Sequence, residues 1–247
     1  GIYLRNLLLW LRFKGTAYHG WQVQKNAITV QQTLQEALKK ILGEQPPVTG
    51  CSRTDAGVHA FSYACNIRTK NIIPCRNLVR ALNTCLPKDI AVFSCEEMHP
   101  AFHARYSASG KEYIYRICHA PQRDPFELGY AWFYPYPLEI NTLKQAALQF
   151  RGTHDFSAFC AAGSSVKETV RTVSFAQIEE KEDLIIFRVR ADGFLYHMVR
   201  IMVGTLIEVA RGRFDLTSIP AIIDSKKREN AGPTAPAEGL YLSRILY

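Results

Sequence analysis

Apolar and polar residues alternate in several short runs of this chain, a period-two pattern that is typical of β-strands. The run 6–13 is apolar on both faces, which predicts a strand in the interior of a covered sheet. In the run 61–67 the odd-numbered side chains, from Phe61 to Ile67, are apolar, so we expect that face to be buried. Further strands are predicted at 90–95, 111–118, 169–178, 184–191 and 237–242.

Helical periodicity separates these strands. Thr29 is the predicted N-cap of the first helix, with Gln32 as its capping-box partner and Gly43 just beyond its end. A second helix is predicted to begin at Pro74, a third to be capped by Asn141, and two more to span 197–211 and 216–225. The alternation of strands and helices indicates an α+β protein whose first half resembles a ferredoxin-like unit.

The chain is long enough for two small domains. Its least apolar bridge spans 98–110, and the second half then restarts with a strand pattern. We therefore predict an N-terminal half at 1–104 and a C-terminal half at 105–247.

Composition narrows the class of protein. The apolar fraction of 47% is ordinary for a globular protein, while the net charge of +8 favours an anionic partner. No apolar run approaches the ~20 residues that cross a bilayer, and no signal-peptide pattern is present. These features predict a soluble, cytoplasmic protein that does not contact membranes.

The sequence offers no recognisable cofactor or metal site. The seven cysteines include no Cys-x-x-Cys pair, and Pro100 interrupts the helical spacing of His99 and His103. Phosphate loops and the Gly-x-Gly-x-x-Gly fingerprint are also missing. We expect neither a metal nor a small-molecule cofactor.

The polar segment Arg53–Ala60 precedes the strand at 61–67 and carries the strongest candidate chemistry. Gly57 permits a positive φ, and Arg53 favours the ionised form of the Asp55 carboxylate. An ionised carboxylate suits nucleophilic attack or charge stabilisation. Taken alone, however, such a segment is often only a turn in which Asp accepts backbone hydrogen bonds.

Arginines inside apolar segments are further candidates. Arg200 lies in the strongly apolar helix 197–211, so it needs an anionic partner unless it extends to the surface. Arg188 and Arg190 share one face of a strand. They either increase solubility or, with Arg171, line a groove for phosphates.

The segment Arg53–Ala60 resembles the active-site signature of the tRNA pseudouridine synthase A family. Similar matches occur at Gly20-Trp21-Gln22, Phe102–Arg105, Met198-Val199-Arg200 and 237–242. The resemblance implies that Asp55 is the catalytic nucleophile and that Arg200 pairs with it. It also implies that Tyr113 stacks on the target uracil and that Arg53 assists extrusion of the base.

The family resemblance implies a fold and a substrate as well. The fold is two ferredoxin-like (RRM-like) halves joined into one predominantly antiparallel sheet, with helices on one face and the active-site cleft between the halves. The protein would be a homodimer that modifies tRNA uridines at positions 38–40 of the anticodon arm without a cofactor.

Two other functions fit the same residues. A non-catalytic RNA-binding module of RRM-like architecture would use Tyr113, Tyr115 and the arginines to bind single-stranded RNA. A nucleoside or sugar hydrolase with one carboxylate is a weaker alternative, because most glycosidases need a second carboxylate.

Overall fold

The computed structural model describes residues 3–247 and confirms an α+β protein. The chain forms two compact units. The first contains the described residues up to Ser109 together with Tyr241–Tyr247, and the second contains Gly110–Leu240. Each unit contains both strands and helices.

The strands, numbered in chain order, are β1 (Arg5–Phe13), β2 (Thr49–Gly50), β3 (His59–Thr69), β4 (Ile90–Met98), β5 (Gly110–Cys118), β6 (Trp132–Phe133), β7 (Gly152–Asp155), β8 (Val170–Lys181), β9 (Leu184–Ala191) and β10 (Leu240–Leu246). The helices are α1 (Val30–Leu42), α2 (Cys75–Cys85), α3 (Ile140–Leu148), α4 (Met198–Ala210) and α5 (Ser218–Ser225).

In the first unit, β1 lies between β4 and β3 and is antiparallel to both. β2 pairs with β3, and β10 runs parallel to the start of β3. This order is that of a ferredoxin-like unit with one added strand. The predicted interior position of β1 is confirmed, since Leu7, Leu8 and Leu9 are all buried.

The prediction of one buried face on β3 is wrong at three places, Phe61, Ala64 and Asn66. Ala64, on the face assigned to solvent, is fully buried. Phe61 is 46% exposed and stacks on Tyr241, with ring centroids 4.6 Å apart. Asn66, on the opposite face, is buried because its side chain accepts a hydrogen bond from the Ala104 backbone and donates one to Asn6. The segment around Ala104 therefore covers the face that the alternation assigned to solvent.

The predicted ends of α1 are confirmed. The Thr29 hydroxyl accepts a hydrogen bond from the Gln32 backbone N–H at 3.2 Å, which satisfies one donor of the first helical turn. Gly43 adopts φ = 75° at the C-cap, a conformation that glycine adopts without strain.

In the second unit, β9 lies between β5 and β8, β7 pairs with β8, and these ladders are antiparallel. The prediction that Asn141 caps α3 is wrong, because the helix already begins at Ile140. The Glu139 N–H donates to the Ala210 carbonyl at the end of α4 at 2.9 Å. This contact fixes where the chain enters α3.

Arg188 and Arg190 do not form the predicted basic sheet face. Both pair with Glu112, whose side chain is fully buried, at N–O distances of 3.0 and 2.6 Å. A buried carboxylate is tolerated when paired and hydrogen-bonded, so these arginines neutralise a core acid. Within residues 3–247, no helix is long and apolar enough to span a bilayer.

Candidate functional site

Asp55 lies in the loop that enters β3, as predicted, and is half-buried. The Val58 N–H donates to the Asp55 carbonyl at 3.1 Å, which closes a turn around Gly57 with φ = 82°. The Gly57 N–H donates to the Tyr18 carbonyl at 3.2 Å. These bonds fix the conformation of the turn and attach it to the loop 15–24.

Gly20 packs directly against the residue before Asp55. The Trp21 N–H donates to the Thr54 carbonyl at 3.4 Å. A Cβ on Gly20 would lie only 2.2 Å from that carbonyl oxygen, and Gly20 also has a positive φ of 77°. Only glycine satisfies both constraints. The Gly-Trp-Gln motif is therefore a backbone support for the Asp55 loop.

Aromatic packing holds the other end of this loop. The Trp21 and Tyr63 rings stack with centroids 4.2 Å apart, and both side chains are buried. The Tyr63 hydroxyl donates a short hydrogen bond to the Ser52 carbonyl. Because Ser52 is three residues before Asp55, the carboxylate is carried by a segment that is anchored on both sides.

His59, the first residue of β3, connects the loop to the sheet. Its buried Nδ1 accepts a hydrogen bond from the Gly15 N–H at 2.9 Å, so this nitrogen carries no proton. Its ring lies 4.7 Å from that of Tyr241 on β10. The histidine thus joins the 15–24 loop, the start of β3 and the last strand.

Arg53 is exposed and lines an open pocket of about 180 Å³. Arg105 lines the same pocket, together with Gln22 and Gln31. The sequence pattern alone assigns no function to Arg105. The motif Phe102–Arg105 marked its segment, but nothing in the sequence indicated that it lies beside Arg53.

Arg200 lies in the first turn of α4, in the second unit, and is half-buried. Its Nε donates to the Ala235 carbonyl at 2.8 Å, and the Ala235 N–H donates to the Arg200 carbonyl at 3.0 Å. The helix is buried along nearly its whole length, as predicted. This reciprocal pair of bonds fixes the position of the arginine backbone and side chain.

Tyr113 lies on β5, also in the second unit, and is 7% exposed. Its ring meets Phe194 edge-on, with centroids 4.9 Å apart. The neighbouring Tyr115 hydroxyl donates to the Pro236 carbonyl at 2.6 Å. Burial raises the pKa of Tyr115 above its usual range, while the charge of Arg200 acts in the opposite direction.

The four predicted site residues thus fall into two pairs. Asp55 and Arg53 share one loop of the first unit, and Tyr113 and Arg200 belong to the second, in which α4 packs against β5. In the part of the chain that the structure describes, no group of three or more His, Cys, Asp or Glu side chains is arranged to hold a metal ion.

Comparison with known proteins gives a consistent assignment. A family described as tRNA pseudouridine synthase matches residues 11–107 and 146–247. The tRNA pseudouridine synthase A of Thermoanaerobacter sp. (strain X514) is 48% identical over 99% of this chain and 100% of its own length. That of Clostridium kluyveri is 44% identical with the same coverage. A solved Cbf5-Nop10-Gar1 complex, with 14% identity and a TM-score of 0.37, covers 95% of this chain and 57% of that chain and is too distant to support an argument.

Proposed function

We propose, from the premise that this chain belongs to the tRNA pseudouridine synthase family, that it isomerises uridines 38–40 in the anticodon stem-loop of tRNA. Asp55 is the nucleophile in this proposal, and the reaction uses no cofactor. The observation that carries it is the position of Asp55, which is half-buried in a turn held by hydrogen bonds and by the close approach of Gly20.

The proposed reaction needs no redox partner, because its substrate and product are isomers. The glycosidic bond between uracil N1 and ribose C1′ breaks, the base turns, and C5 bonds to C1′. C5 then loses its proton and N1 gains one, so the product is an isomer of the substrate. Asp55 supplies the electron pair that the first step requires, by attack at the ribose or at the base.

Three further residues complete the proposed site. Arg53 assists extrusion of the target nucleotide, which costs a few kcal/mol of lost stacking and pairing. Tyr113 stacks on the everted uracil and replaces part of that stacking. Arg200 pairs with Asp55 and orients it, because a guanidinium and a carboxylate form directional, charge-assisted hydrogen bonds.

The assignment is tested with tRNA that carries tritium at uracil C5. We expect the protein to release tritium from an unmodified transcript without any added cofactor, and sequencing of the product should place pseudouridine at positions 38–40. Absence of tritium release would exclude the isomerase, and release from other positions would exclude the anticodon specificity.

We further propose that the enzyme acts as a homodimer in the cytoplasm, where its tRNA substrate is found. Sedimentation equilibrium should then give about twice the chain mass of 28.0 kDa. A sedimenting mass equal to one chain at assay concentrations would contradict the dimer.

A further inference from the structure

The pocket beside the Asp55 loop has the composition of a phosphate site. Two of its lining residues are arginines, Arg53 and Arg105, and none of the others carries a carboxylate; they are Trp21, Gln22, Gln31, Gly50 and Ser52. Neither guanidinium has a carboxylate partner among residues 3–247. A planar guanidinium can donate two parallel hydrogen bonds to phosphate oxygens.

Two other residues that line the pocket, Trp21 and Gln31, already have partners within the protein. Trp21 is buried and stacked on Tyr63, so it offers no open face to a nucleobase. The Gln31 amide accepts from the Val23 N–H and donates to the Val48 carbonyl, both at 2.8 Å. The exposed guanidiniums of Arg53 and Arg105 remain available to a ligand together with the exposed Gln22 amide, and their two positive charges favour an anion over a neutral base.

The backbone that carries Arg105 is fixed before any ligand binds. Ala104 is fully buried, and its N–H donates to the Asn66 side chain at 2.9 Å. The Tyr247 hydroxyl donates to the Ala104 carbonyl at 2.5 Å, and the Arg105 N–H donates to His103 Nδ1 at 3.1 Å. An exposed arginine on a fixed backbone loses less entropy on binding than one on a flexible loop.

From this geometry we infer that Arg105, together with Arg53, binds an RNA backbone phosphate next to the nucleotide that Asp55 attacks. The inference rests on the proposed function, since Arg53 is only two residues from Asp55. Arg105 is a positioning residue in this scheme. It holds the flanking backbone while the target base leaves the stack, and it does not touch the reacting atoms.

Binding of RNA hairpins that carry a single methylphosphonate tests the contact directly, because that group keeps the backbone but removes the charge. Affinity is measured in the Asp55→Asn background, so no turnover occurs. We expect Arg105→Gln to weaken binding of the all-phosphate hairpin by about tenfold, Arg105→Lys to lose less, and the salt slope to fall by about 1. Binding of the hairpin with a methylphosphonate at one flanking position should be insensitive to the Gln substitution.

Arg76→Gln is the matched control, because Arg76 is an exposed arginine of the same unit on α2. It should weaken every hairpin equally or not at all. A loss on Arg105→Gln that is the same for every methylphosphonate hairpin, or no loss, would overturn the contact. Failure of isomerisation itself would appear in the tritium assay of the wild-type protein, so the two outcomes are read separately.

Discussion

The two units differ in net charge, since the first is strongly basic and the second is neutral. The first, counted over 1–109 and 241–247, has 14 Lys and Arg against 6 Asp and Glu, while 110–240 has 16 against 16. The whole net charge of +8 therefore belongs to the unit that carries Asp55. Proteins that bind polyanions concentrate positive charge in this way, because released counterions drive the association.

In the second unit, several arginines instead form ion pairs with carboxylates of the same unit. Glu112 is fully buried between Arg188 and Arg190, and Arg116 pairs with Glu127 at 2.8 Å. A basic strand pattern is therefore not by itself an RNA-binding signal. What distinguishes the two uses is whether a carboxylate from a distant part of the chain meets the cation.

The largest effect on stability should come from Glu112→Gln. The substitution leaves two guanidiniums beside a neutral amide, and removal of one partner from a buried ion pair costs ~3–5 kcal/mol. Urea unfolding measures this loss. Glu179→Gln, which removes the 41%-exposed partner of Arg188, should cost less than ~1 kcal/mol. Equal losses of unfolding free energy for the two variants would show that the buried ion pairs of Glu112 do not stabilise the fold more than the exposed pair of Glu179.

Gly20→Ala should have the next largest effect, and it tests how the first unit holds its loop. The added Cβ meets the Thr54 carbonyl at 2.2 Å, so the Asp55 loop must move. We expect a cost of roughly 2–3 kcal/mol and a fall in kcat. Gly43→Ala is the control, since Gly43 has a similar φ of 75° but no atom within 4 Å. It should cost only ~1 kcal/mol and leave kcat unchanged.

These examples show what the sequence could and could not predict. Caps such as Thr29 and Gly43 depend on neighbouring residues, and both predictions are confirmed. The start of α3 depends on Ala210, and the use of Arg188 depends on Glu112, which is 76 positions away. Periodicity contains no information on such distant partners. It also did not indicate that Arg53 and Arg105 share a pocket.

Thr29→Ala should have a smaller effect. It removes the side-chain acceptor of the Gln32 N–H and should lower the free energy of unfolding by ~1 kcal/mol. Thr84→Ala is a suitable control, because Thr84 lies in the last turn of α2, where its hydroxyl donates to the Ala81 carbonyl and does not cap the start of the helix. Chemical denaturation of both variants measures the difference in unfolding free energy. An equal loss for both would show that the Thr29 side chain does not stabilise α1 as an N-cap.

The smallest effect concerns acid stability in the second unit. Hydrogen bonds from Ser157 hold the pKa of Asp155 below its usual value of 3.8. A lowered folded-state pKa adds stability above pH 3.8 that is lost as the pH falls through the folded-state value. We therefore expect Asp155→Asn to lose stability at pH 6 and to show a weaker decline between pH 4 and 2. An unchanged pH profile would contradict this role.

The most direct test of the central claim is the single-turnover rate of pseudouridine formation by Asp55→Asn at saturating protein. The account predicts a fall of roughly 10⁴-fold or more, as expected for loss of a nucleophile. It also predicts a tRNA dissociation constant within about threefold of the wild-type value, because the cationic surface of the first unit is intact. A variant that still isomerises uridine at a rate near that of the wild type would contradict the assignment of Asp55.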